Sequence, residues 1–87
     1  MNTEQLIERG NRGEALLHTA TFHEAMAELV NIYMNSLLNT KPEQSKERES
    51  LYAGARAVQD ITGVLNQWVA VRDQIIENAQ YEEPDSI

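Results

Sequence analysis

Apolar residues recur at three- and four-residue intervals along most of the chain, the period of an amphipathic helix rather than the alternation of a strand. From Phe22 onward, Met26, Leu29, Val30, Tyr33, Met34, Leu37 and Leu38 share one broad helical face. This stretch opens on "TFHE", Thr21 to Glu24, which has the spacing of a capping box. It stops near Leu38, before "NTKPEQS". There Pro42 holds Lys41 in extended geometry, and Thr40 with Glu43 offers a further capping pattern. So short a connection favours antiparallel neighbours.

The pattern then predicts a long helix from Pro42 or Glu43 to about Asn78, with Leu51, Val58, Ile61, Leu65, Trp68, Ile75 and Ile76 near heptad spacing. Its C-terminal half outruns the preceding helix, so the N-terminal segment or another chain must cover it. Val64, Val69 and Val71 widen its apolar surface beyond a two-helix seam. The N-terminal segment, Thr3 to Leu17, has Thr3 at the N-cap position and Glu4 near the positive end of the dipole. Leu6, Ile7, Leu16 and Leu17 are its apolar residues. Gly10 and Gly13 each cost ~1 kcal/mol relative to alanine in a helix, which predicts a break between them. The expected fold is all-α: an antiparallel helical hairpin with a short N-terminal helix packed on it and a long C-terminal helix. One helical domain is expected over residues 1–78, and an acidic flexible tail, "AQYEEPDSI", over residues 79–87.

Two further glycines, Gly54 and Gly63, sit inside the long helix. Nine residues at 100° each set them on opposite sides, so they serve different neighbours. Either both are tolerated defects, or each lets a different helix approach; "AGARA" around Gly54 has the small side chains a close approach needs. Arg72 occupies a position where the heptad stripe calls for an apolar residue. It either snorkels from the core edge or meets an acidic group of a partner, and Trp68, one turn away, offers a stacking face. Trp68 also fits a core position. The apolar surplus over Val64 to Ile76 points to a protein interface, with Gly54, Gly63, Val64, Trp68, Val71, Arg72 and Ile75 as its candidate residues.

Composition narrows the function. Hydrophobic residues make up 41% of the 87 positions, too many for wholesale disorder, yet so short a chain buries a modest core and invites self-association. Seven basic against fourteen acidic residues give a net charge of −7, and no Lys or Arg follows Arg72. Without a basic cluster to release phosphate counterions, direct binding to nucleic acid is not expected. The chain has no cysteine, so neither a disulfide nor a thiolate metal site can form. No stretch approaches eighteen apolar residues, and the N-terminus lacks the pattern of a signal peptide; a soluble, unprocessed protein is expected.

Candidate chemistry is sparse. His18 and His23 lie five apart, not in the four-residue spacing of a His-Glu-x-x-His zinc helix, and read as cap or surface residues. No nucleophile elbow, phosphate loop or calcium loop occurs, and pairs such as Glu47 with Glu49 have no sheltered pocket to tune them. Arg56 and Asp60 are placed to pair at i,i+4. The expectation is no enzyme, no catalytic, cofactor or metal site, no small-molecule substrate, and no membrane partner.

One resemblance adds a setting. In "GEALLHTATFHEAMAELVNIYMNSLLNTKPEQSKERESLYAGARAVQDITGVL", an "ALL" precedes a phenylalanine-led helix; a Leu-x-Thr stop, a Pro-containing turn and "RE-x-LY" opening a long helix follow. This pattern resembles small helical proteins of tailed bacteriophages that are encoded among virion-assembly genes. The matching positions are Leu16, Leu17, Phe22, Leu38, Thr40, Arg48, Glu49, Leu51 and Tyr52. The chain departs from that pattern at its acidic end, where a basic or glycine-containing end is usual. The resemblance implies a non-enzymatic accessory or virion-assembly protein acting through helix-helix contacts as a homo-oligomer or with a protein partner, in the cytoplasm of a bacterial host or associated with the virion. Two alternatives stay open: an acidic, DNA-mimicking inhibitor of a host nucleic-acid enzyme, which needs an ordered stripe of carboxylates, and a small terminase-like or regulatory subunit, against which the missing basic patch counts.

Overall fold

The computed structural model describes residues 1–82. These form three α-helices and no strand: α1 (Thr3–Leu17), α2 (Ala20–Leu38) and α3 (Ser45–Glu82). The expected all-α hairpin with an N-terminal helix and a long C-terminal helix is the observed architecture. Contacts gather the chain into two compact units: Met1–His18 with α3 from Val64 onward, and Thr19–Gly63. Helix α3 contributes to both.

Each helix start differs in detail from the sequence pattern. Asn2, not Thr3, caps α1: Asn2 Oδ1 accepts from the Gln5 amide at 2.8 Å, and Gln5 Oε1 accepts from the Asn2 amide at 2.9 Å, a reciprocal capping box. Helix α1 runs unbroken through Gly10 and Gly13, so the expected break is absent. The reason is packing: both glycines are buried, and a bare backbone is what the neighbouring helix requires there. Helix α2 starts at Ala20 with Thr19 as its N-cap, so Thr21 lies inside the first turn and its expected capping box is displaced. Helix α3 starts at Ser45, later than Pro42 or Glu43. Gln44 organises that start: its side-chain oxygen accepts from the Lys41 amide at 2.7 Å and its carbonyl accepts from the Arg48 amide at 3.0 Å. Thr40 serves the preceding helix instead, its hydroxyl donating to the Leu37 carbonyl at 2.6 Å.

At the other end α3 continues four residues past Asn78, to Glu82. Of the acidic tail expected over residues 79–87, the first four positions therefore extend the helix, and 83–87 lie outside the described residues.

The core is small. Ala55, Val58 and Leu65 are the buried hydrophobic residues among those described, and Ala55 and Val58 belong to the Thr19–Gly63 unit. In that unit the ring of Tyr33 lies against Gly54, where a Cβ would come within 2.7 Å of Tyr33 Cζ. In the other unit α1 packs on the C-terminal half of α3. A Cβ on Gly10 would meet Arg72 Cβ at 2.5 Å and the Trp68 carbonyl at 2.9 Å; one on Gly13 would stand 3.4 Å from the Trp68 ring.

Candidate interaction surface

Arg72 is the polar centre of the α1–α3 contact. Its side chain is only 11% exposed, and its Nη1 donates to Glu14 Oε1 at 2.7 Å and to Asn11 Oδ1 at 2.9 Å, while Nε and Nη2 donate to Asp73 Oδ1. These charge-assisted bonds hold the Glu14 carboxyl below its ordinary range and push Arg72 further above its own. The acid that Arg72 meets is thus in its own chain. The face of Trp68 is taken likewise: the Arg9 guanidinium carbon lies 4.7 Å from the ring centroid, a cation–π contact, and Gly13 of α1 also lies against the ring. With the indole beneath it, Arg9 Nε is buried without a hydrogen-bond partner among the described residues.

These contacts divide the candidate interface residues. Trp68, Val71, Arg72 and Ile75 are half-buried in the unit that α1 and α3 build. Gly54 is half-buried under Tyr33. Val64 remains exposed, and Gly63 faces open space, with no atom within 4 Å of the position a Cβ would take.

More apolar surface lies elsewhere, in the Thr19–Gly63 unit. Helix α2 spans nineteen residues without a single buried one. Leu29, Ile32, Met34 and Leu38 on α2, and Tyr52 and Ile61 on α3, are all exposed, Leu38 at 78% and Tyr52 at 60%. The apolar periodicity that marks α2 as a core seam is present, but α3 alone covers only part of it. Phe22, Leu37 and Leu51 are half-buried, as is Leu17 in the other unit, whereas Leu16, Arg48 and Glu49 are exposed.

Beside the α2–α3 seam run two depressions of about 350 and 120 Å³. His23, Met26, Ala27, Val30 and Asn31 line the first from α2, with Val58, Gln59 and Thr62 from α3. Met34, Tyr52, Ala55 and Arg56 line the second, and Val30 and Gln59 line both, which makes them one trough. Its walls are mostly apolar, and its polar groups are two amides, the hydroxyls of Thr62 and Tyr52, one imidazole and one guanidinium. No group of three or more His, Cys, Asp or Glu residues that could hold a metal is present among the described residues. None of the described helices is long and apolar enough to cross a membrane. Such a trough can do what apolar grooves between helices do, which is to accept another helix.

Comparison of the chain with protein-family models, with curated proteins and with solved structures returns no match.

Proposed function

We propose that this chain is a non-enzymatic assembly protein that works through helix-helix contacts with other chains, first among them its own copies. The observation that carries the reading is α2: nineteen residues, apolar at helical spacing, none buried. A helix gains most of its stability from burying its apolar face, and an isolated one of this length is marginal in water. A surface of this kind marks an interface on a small protein. The setting comes from the resemblance to small helical proteins encoded among virion-assembly genes of tailed bacteriophages, and the accessory or assembly role is proposed on that ground, with the bacterial cytoplasm or the virion as its place.

Thermal melting followed by helicity tests the interaction. Because association stabilises by mass action, the melting temperature of an oligomer rises with protein concentration. A melting temperature that does not move over a hundredfold range of concentration contradicts the self-association reading. For the setting, fractionation of infected cells should find the chain with assembling particles; its consistent absence from them would remove the phage role and leave the association intact.

A further inference from the structure

We infer that the face of the α2–α3 hairpin opposite the trough is covered by the same face of a second copy of this chain, with Leu29 and Ile32 of each copy seated on the small residues of α3 in the other. The inference rests on the self-association reading above and names the surface and geometry that carry it.

At 100° per residue, the trough residues Val30 and Met34 lie on one flank of α2, and Ala25, Leu29 and Ile32 lie on the other. On α3 the same division sets Tyr52 and Gln59 of the trough against Ser50, Ala57 and Ile61. All six residues of the face away from the trough are exposed. Whereas Arg56 lines the trough, no charged residue points along this face; the nearest, Glu28 and Asp60, stand about 60–70° to its outer sides and are exposed. The area suffices for a dimer. Nineteen residues of α2 span ~28 Å, and two helices ~10 Å apart present a face about 20 Å wide, on the order of 600 Å² in projection. The smallest stable interfaces bury ~600 Å² per partner, and the accessible area of a corrugated surface exceeds its projection.

The relief of the face then selects the occupant. The contact of Tyr33 with Gly54 sets the register of the antiparallel pair, and Met34 lining the same depression as Tyr52 agrees with it. In that register Ile32 is level with residue 55, Leu29 with residue 58 and Ala25 with residue 62. A two-fold axis parallel to the helices keeps each residue at its own height and lays α2 of one copy on α3 of the other. Ile32 then meets the hole formed by Ser50, Ala53, Gly54 and Ala57, whose positions i, i+3, i+4 and i+7 are those that receive a knob between packed helices. The ring of Tyr33 already fills the room beside Gly54, so the hole is shallow and partly apolar. Leu29 comes within about 2 Å along the axis of Ala57, and the bulky Ile61 falls opposite the small Ala25. Large thus meets small throughout, twice per dimer. An axis perpendicular to the helices instead stacks α2 on α2 and α3 on α3; Leu29 and Ile32 would hold the first pair apart while the small residues left a gap in the second. The parallel arrangement also brings Glu28 level with the other copy's Asp60, on rims where solvent screens the two charges.

The test exploits the absence of cysteine from the chain. Leu29→Cys and Ala57→Cys, both at exposed sites, are made in separate chains, checked for helicity, mixed and mildly oxidised, and the products are told apart by mass. The mixed disulfide should predominate over both self-disulfides, because the parallel axis sets residue 29 of one copy beside residue 57 of the other and neither beside itself. Self-disulfides in statistical proportion or in excess overturn the arrangement. Sedimentation equilibrium adds the face: the wild type should be a dimer, Ile32→Lys should raise its dissociation constant about tenfold or more, Met34→Lys in the trough should not, and added salt should tighten it. A dimer that Met34→Lys dissociates and Ile32→Lys does not, or that salt weakens, overturns this face and leaves self-association standing. A wild type that is monomeric at high micromolar concentration overturns both.

Discussion

The ring of Tyr33 occupies the space that a side chain at Gly54 would need: a Cβ there would stand 2.7 Å from Cζ and 2.9 Å from Cδ1. At Gly63, nine residues along the same helix, the same atom would meet nothing within 4 Å. Two glycines with one helix propensity are thus under opposite constraints.

The pair makes a direct prediction. Gly63→Ala should stabilise the fold by up to ~1 kcal/mol, the difference in helix propensity. Gly54→Ala has the same gain to draw on but forces the Tyr33 ring aside, and overpacking of this kind costs ~1–3 kcal/mol, so its melting temperature should fall. In a Tyr33→Ala background the penalty should vanish and Gly54→Ala should stabilise. Thermal melts of the four variants check this, and equal effects at the two glycines would contradict it.

In α1 a similar contrast separates Gly10 from Gly13. Gly10→Ala would drive a methyl group into Arg72 Cβ and the Trp68 backbone, neither of which is the free end of a flexible side chain, so α1 should lift from α3 and the melting temperature should drop. Gly13→Ala meets the Trp68 ring at 3.4 Å, ordinary contact distance, and should be neutral or stabilising by up to ~1 kcal/mol. Trp68 fluorescence is the readout: a red shift is expected for Gly10→Ala and none for Gly13→Ala.

The Arg72–Glu14 pair predicts a pH dependence. The carboxyl of Glu14 is held below its ordinary value of 4.5 when folded, chiefly by its hydrogen bond from Arg72, so the unfolded chain binds the proton more readily. The contribution is fully present above pH 4.5 and is lost as the pH falls through the lowered folded value. Glu14→Gln should therefore melt below the wild type at neutral pH and converge with it in strong acid. A constant difference across that range would mean that the pair is not coupled to folding.

Much of the fold was legible before any coordinates. The bounds of α1, the apolar face of α2, the turn around Pro42 and the length of α3 all follow from periodicity and punctuation. What stayed hidden was long-range or locally ambiguous. Gly10 and Gly13 read as a break because propensity counts only the helix that contains them, whereas Trp68 and Arg72, more than fifty residues on, are what make a bare backbone worth its cost. For the same reason Arg72 could be recognised as out of place on an apolar stripe without its acid, Glu14, being identifiable. At α2, Thr19 and Thr21 are both acceptable caps, and the sequence pattern favours the one followed by Glu24, while the chain uses the other. The apolar surplus was legible too, but the sequence assigned it to the C-terminal half of α3. The larger exposed area lies on α2 with Tyr52, because α1 covers Leu65 and much of Trp68, and no third helix of the Thr19–Gly63 unit covers α2.

On the proposed reading, apolar residues that α2 leaves exposed within one chain, Leu29 and Ile32 foremost, are covered by another chain. Sedimentation equilibrium of the wild-type protein from low to high micromolar concentration decides this. The expected result is a reversible equilibrium reaching twice the 9.9 kDa mass of the chain, weakened by Ile32→Lys. A single species of 9.9 kDa at every concentration, with full helicity, would contradict it.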